Sequence, residues 1–116
     1  LSDLFKKSDI VTIHVPLTRE TRHIINKNNM MFMKKTALII NTSRGEIINE
    51  EDLIQALEQK IISGAALDVF SDEPYSGELR KFENVVLTPH IGSYAEETRM
   101  EMEIEAVENL IKGLRN

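Results

Sequence analysis

Three side chains have the types and places that proton transfer on a small anion would use: Arg44, Glu73 and His90. Arg44 is a permanently charged, planar fork of donors, suited to a two-point grip on a carboxylate. His90 is, besides His14, the side chain at the same expected edge that can trade a proton near neutral pH. Glu73, in Ser71-Asp72-Glu73-Pro74, can pair with that ring, hold one tautomer and favour its charged form. The three would make a substrate clamp, an acid/base and an orienter. On spacing alone they also fit blander roles: a solvated arginine after a strand, a loop carboxylate before proline, and a hydrogen-bonded histidine after Pro89. Asp68 on the same grounds fits a turn cap, and His14 and His23 read as structural or backbone-defined.

A parallel sheet is what would bring these residues together. The run Leu38-Ile39-Ile40-Asn41-Thr42-Ser43-Arg44-Gly45 passes from apolar, β-branched residues to a polar turn, and an amphipathic segment, Glu50 to Gln59, follows. That order reads as buried strand, turn, helix. Asn49 caps the helix, Glu50, Glu51 and Asp52 suit its positive first turn, and Leu53, Ile54, Leu57 and Ile61 form its buried stripe. Before it lie a short helix (Leu1 to Lys7), a strand (Ile10 to Val15) closed by Pro16, and a second helix (Asn26 to Met33) capped by Asn26 or Asn28. The strand Ala37 to Asn41 follows. After Gly64, expected to permit a turn, come a strand of small residues (Ala65 to Val69), a long charged loop (Phe70 to Asn84) and a short strand (Val85 to Leu87). Ser93 with Glu96 reads as a capping box for a helix from about Tyr94 to Leu114, with Met100, Ile104, Val107, Leu110, Ile111 and Leu114 on its apolar face and Gly113 marking its frayed end. Strands alternating with helices predict an α/β fold with a mostly parallel sheet of about four strands and right-handed crossovers. All strand exits then share one edge, where ligands bind in open α/β sheets. They carry His14-Val15-Pro16, Asn41-Thr42-Ser43-Arg44, Asp68-Val69-Phe70 and Pro89-His90-Ile91-Gly92.

The composition narrows the possible functions. Hydrophobic content of 41% and charged content of 28% are ordinary for a globular domain, and 116 residues allow one domain with a real core. A net charge of −5 without a basic stripe argues against nucleic-acid binding. No apolar run nears membrane-spanning length and no signal peptide is evident, which makes a cytoplasmic setting without a membrane partner the expectation. With no cysteine, disulfides, thiolate chemistry and Cys-based zinc sites are excluded. The three histidines form no metal motif, so no metal is expected. The chain opens at Leu1 inside an expected helix, which suggests a piece of a longer protein.

Four segments carry a resemblance: His14-Val15-Pro16-Leu17-Thr18 through Thr21; Ile40-Asn41-Thr42-Ser43-Arg44-Gly45; Gly64-Ala65-Ala66-Leu67-Asp68-Val69-Phe70 with Asp72-Glu73-Pro74; and Asn84-Val85-Val86-Leu87-Thr88-Pro89-His90-Ile91-Gly92. In this order they resemble the signatures of the D-isomer-specific 2-hydroxyacid dehydrogenases over nearly the whole chain. His90-Ile91-Gly92-Ser93 is more similar to the phosphoglycerate, glyoxylate and hydroxypyruvate branch than to the D-lactate branch. The resemblance implies a Rossmann-like, doubly wound parallel sheet and hydride transfer between NAD(H), with NADP open, and a 2-hydroxyacid or 2-ketoacid.

Carried over by position, the resemblance makes Arg44, Glu73 and His90 catalytic. Arg44 would bind the substrate carboxylate and carbonyl oxygen, His90 would protonate the carbonyl, and Glu73 would support the cationic ring. Asp68 would engage the nicotinamide carboxamide. Pro16, Thr42, Ser43, Arg44, His90, Ile91, Gly92 and Ser93 would line the cofactor. The resemblance also implies a homo-oligomer. The family's Gly-x-Gly-x-x-Gly turn and ribose-reading acid are not among these residues, and neither is its substrate domain. Residues 1–116 therefore read as the second half of a dinucleotide-binding domain, expected to be catalytically silent alone and to bind NAD feebly. The alternative in the same family is a non-catalytic, co-repressor-like module that senses NAD or binds protein.

Overall fold

The computed structural model describes residues 1–115. Its centre is a four-stranded, wholly parallel sheet in chain order: β1 (Ile10–Ile13), β2 (Leu38–Asn41), β3 (Gly64–Leu67) and β4 (Val85–Leu87). Helix α1 (Ser2–Lys7) precedes β1, α2 (Lys27–Met30) lies between β1 and β2, and α3 (Glu50–Glu58) between β2 and β3. Short 3-10 turns at Gly45–Ile47 and Glu78–Lys81 interrupt the loops, and α4 (Glu96–Leu114) ends the described chain. The α/β class and the parallel sheet follow the sequence pattern.

Register aligns the strand ends. Ile13 pairs with Asn41, Asn41 with Leu67, and Leu67 with Leu87. Four exits thus leave one edge in a row, at His14, Thr42, Asp68 and Thr88. β1, β2 and β3 are shorter than expected, while β4 has its expected bounds. β1 stops at Ile13 and β3 at Leu67 because β2, their common partner, turns away after Asn41. Ala37 remains outside β2, its N–H bonded to the Lys34 carbonyl.

The core lies on one face of the sheet. Val11, Ile13, Ile39, Ala65 and Leu67 pack with Phe5, Met30, Leu53, Ala56, Leu57 and Ile62, all buried. Alternation along the strands leaves Ile10, Leu38 and Val86 exposed. Asn26 and Asn49 cap α2 and α3, accepting the Asn29 and Asp52 N–H groups at 3.2 and 3.1 Å.

Several local expectations are corrected. α2 is a single turn. In the stripe of α3, Leu53 and Leu57 are buried, Ile54 and Ile61 pack against the core while partly exposed, and Ile62 is buried as well. Gly64 has no positive φ; it is required because a Cβ there would collide with the Asn84 carbonyl just before β4. The capping box does not form: Ala95 is the N-cap of α4 and no side chain caps it. Gly113 lies within the helix. The expected apolar face of α4 is present, but none of its residues is buried: Met100, Ile104, Val107, Leu110, Ile111 and Leu114 are all exposed.

Candidate active site

The exit of β4 carries the acid–base pair. His90 Nδ1 lies 2.8 Å from Glu73 Oε2. A carboxylate only accepts, so Nδ1 carries the hydrogen and Nε2 is left for a ligand. The other Glu73 oxygen accepts the Phe70 N–H at 3.0 Å. The bond from His90, then that from Phe70, hold the Glu73 carboxyl below its ordinary range, outweighing some burial and the Asp68 charge. His90 has a φ of 56°, uncommon for a residue with a side chain. The left-handed turn after Pro89 points the next two N–H groups backwards, and both find Asp68.

Asp68 is buried and holds this turn. Its Oδ1 accepts the Thr88 hydroxyl at 2.5 Å and the Ile91 N–H at 2.9 Å, and its Oδ2 accepts the Gly92 N–H at 2.8 Å. Burial pushes this carboxyl up, but the three hydrogen bonds and the nearby His90 more than reverse it, leaving it lowered. Gly92 fits because even a Cβ there would stand 3.0 Å from Oδ2. Of the two roles expected for Asp68, the turn cap is seen directly: its carboxylate anchors the segment that carries His90.

The β1 and β2 exits are laced together beside it. The Ser43 hydroxyl donates to the Val15 carbonyl at 2.5 Å, and the Pro16 carbonyl accepts the Thr21 hydroxyl at 2.7 Å. Asn41 is 1% exposed; its Oδ1 accepts the Ser43 N–H at 3.0 Å and its Nδ2 donates to the Arg44 carbonyl at 2.9 Å. This closed loop projects an exposed Arg44, whose guanidinium donates to the Ser43 carbonyl at 2.7 Å. Gly45 then lets the loop touch the next one, since any Cβ would collide with the Phe70 carbonyl and the Ser71 nitrogen.

A cleft of ≈ 440 Å³ opens at the pair, lined by Phe70, Glu73, Pro74, Tyr75, Pro89, His90, Ser93 and Tyr94. Ser93, expected on the cofactor, faces this cleft. Arg44 does not line it, nor does it bond to His90 or Glu73. The structure thus joins His90 with Glu73 directly and sets Arg44 on the neighbouring loop. His14 Nε2 bonds the Thr12 hydroxyl at 2.9 Å, and His23 adopts a φ of 53° with its N–H on the Glu46 carbonyl. Sequence reasoning missed Asn41 and Tyr75. A signal existed for Asn41, a polar residue in phase with inward-facing Ile39.

The family model described as D-isomer specific 2-hydroxyacid dehydrogenase, NAD binding domain, matches residues 1–92. The chain belongs to that family. It is 52% identical to a glyoxylate reductase of Thermofilum pendens over 99% of its own length and 34% of the relative's. It is 47% identical to a D-3-phosphoglycerate dehydrogenase of Synechocystis over 92% of this chain and 20% of the relative. The NAD-complexed crystal structure of a D-isomer specific 2-hydroxyacid dehydrogenase from Lactobacillus delbrueckii ssp. bulgaricus superposes with a TM-score of 0.86 at 30% identity, covering all of this chain and 40% of that one. The dehydrogenase-family chain thus spans about a third of the first relative's length.

The sheet edge leaves an exposed Thr42 hydroxyl and, at Gly92, a backbone with no side chain in the way, which suits a flat ring such as the nicotinamide of NAD; the Ser43 hydroxyl is already given to the Val15 carbonyl. The five glycines have no Gly-x-Gly-x-x-Gly spacing, so no such pyrophosphate cradle is among these residues.

Proposed function

We propose that this chain is the catalytic part of the dinucleotide domain of a longer, oligomeric dehydrogenase that reduces 2-oxoacids to D-2-hydroxyacids with NADH. The observation that carries the reading is the 2.8 Å contact of His90 with Glu73 at the carboxyl edge of a parallel sheet, in a chain of this family. NADH, when bound, supplies a hydride to the substrate carbonyl carbon. Arg44 grips the substrate carboxylate and steers the carbonyl oxygen towards His90. His90 delivers its Nε2 proton to that oxygen as negative charge develops there, and takes it back in the oxidative direction. Glu73 accepts the Nδ1–H and so holds the ring with Nε2 turned towards the substrate. Asp68 fixes the His90 turn and keeps acceptor capacity on Oδ2 for the nicotinamide amide. Pro16, Thr42, Ser43, Ile91, Gly92 and Ser93 border the ring. The co-repressor-like alternative has no observation in its favour.

Steady-state reduction of glyoxylate, hydroxypyruvate and phosphohydroxypyruvate tests this in the complete enzyme. We expect NADH-dependent turnover of at least one, giving the D-product. Arg44→Lys should cost about 2–4 kcal/mol in kcat/KM, since a point charge cannot replace a two-point fork. No turnover of any 2-oxoacid, or a change below threefold in Arg44→Lys, would remove the corresponding assignment.

A further inference from the structure

The His90–Glu73 pair is half in water: the two side chains are 47% and 37% exposed. An exposed ion pair is too weak to hold a loop against thermal motion. Glu73 needs another restraint, and its second oxygen is bonded to the Phe70 N–H. What fixes Phe70 therefore fixes Glu73.

Phe70 is fixed from two sides. Gly45 meets its backbone, and the ring of Tyr75 stacks on its own at 4.3 Å between centroids and 21° between planes. Tyr75 is itself tied down. Its hydroxyl donates to Glu50 Oε1 at 2.6 Å, at the start of α3, and accepts the Leu79 N–H at 3.2 Å. Burial, and then the Glu50 carboxylate, push this hydroxyl up to about 12, so it remains a donor at any physiological pH. Gly77 passes over the phenol so closely that a Cβ there would stand 2.6 Å from Cζ. The ring is thus held by a stack, two hydrogen bonds and an overlying backbone.

We propose that Tyr75, braced by Glu50, is a positioning residue: it locks the Phe70–Glu73 turn to helix α3 and so presents Glu73 to His90. The proposal rests on the acid–base reading of that pair given above. It also ties Glu73 to the helix that follows Arg44 in the chain, so the orienter and the clamp share one rigid base. The Tyr75 ring borders the cleft at the pair, but neither it nor Glu50 offers a group to the reacting atoms; both act through Phe70.

The test is a carbon-detected NMR titration of the Glu73 carboxyl in the 116-residue chain, with thermal unfolding as a control. The carboxyls and bases that bear on it are His90 and Asp68, both unchanged in the variants. In Tyr75→Phe the stack survives but the brace is cut. Glu73 should then titrate a few tenths of a pH unit higher, towards its ordinary value. Glu50→Gln keeps an acceptor for the phenol and should leave the titration in place. Gly77→Ala displaces the ring from the other side and should reproduce the Tyr75→Phe shift, which covers the case in which that variant does not fold. A merely space-filling tyrosine would lower the melting temperature in Tyr75→Phe and leave the Glu73 titration where it was; that result overturns the proposal.

In the complete enzyme the same Tyr75→Phe should reduce kcat about tenfold with KM changed less than about threefold, the pattern of misplaced rather than missing chemistry. A moved titration in a protein that reduces no 2-oxoacid would sink the functional reading and leave the brace standing. Active enzyme with an unmoved titration would do the reverse.

Discussion

At the scale of the residue, the bond from His90 is the largest of the influences that hold the Glu73 carboxyl below its ordinary range. In return Glu73 accepts from Nδ1 and leaves Nε2 for the ligand. In Glu73→Gln an amide can turn either its oxygen or its NH2 group to Nδ1, so the tautomer and the ring orientation are no longer fixed. In the proposed reduction by the complete enzyme, kcat should then fall about tenfold or more while KM for NADH changes less than about threefold. Steady-state kinetics would check this. An unchanged kcat would detach Glu73 from His90 in solution and turn attention to Asp72. The pairing of His90 with Glu73 was legible in the sequence because the chain has only three histidines and both residues follow recognisable strands. Tyr75 was not legible. Its partners, Glu50, Phe70 and Leu79, meet it through tertiary packing, and no local spacing signals a stack between residues of one loop.

At the scale of the element, the turn between β4 and α4 owes its shape to one buried carboxylate. Asp68 accepts three hydrogen bonds that neither β4 nor α4 could satisfy. Asp68→Asn replaces an acceptor oxygen by a donor that faces an N–H, and at pH 7 it should cost about 1–3 kcal/mol of stability. The pH dependence has a definite sign. A carboxyl lowered in the folded state contributes fully above its unfolded value and loses that contribution as pH falls through the folded one. The gap between wild type and Asp68→Asn should therefore narrow on acidification below about pH 4, the unfolded range for aspartate. Urea unfolding of both proteins at pH 7 and pH 3 would show it, and a gap independent of pH would contradict the assignment. Strand identities and order were legible from β-branched runs and turn residues. The last residues of β2 and β4 were legible too, but those of β1 and β3 were not, because both pair with β2 and stop level with its end at Asn41.

At the scale of the whole molecule, the fold covers one face of its sheet and leaves the other open. α1, α2 and α3 supply the buried side, while Ile10, Leu38 and Val86 stay exposed, and every residue of α4 is exposed as well. Periodicity foretold the apolar face of α4, and it could not say whether anything would cover that face, since periodicity records a face without recording what lies against it. A helix with no packed face is held by its own hydrogen bonds and by weak pairs such as Arg99 with Glu103 at 3.3 Å. In the 116-residue chain, hydrogen exchange should accordingly find α4 amides exchanging at least about 100-fold faster than those of β2. Equal protection would mean that α4 packs against something in solution.

The central claim is that His90 is the proton donor for a reduction whose hydride comes from NADH. Its most direct test is the complete enzyme with His90→Gln, in which NADH affinity and 2-oxoacid turnover are measured on the same preparation. Glutamine keeps a polar side chain of similar reach but cannot supply the proton. Affinity for NADH should stay within about threefold of the wild type while turnover falls by roughly 10²–10⁴, the range for loss of a positioned general acid. Turnover within threefold of the wild type in a variant that still binds NADH would contradict the claim.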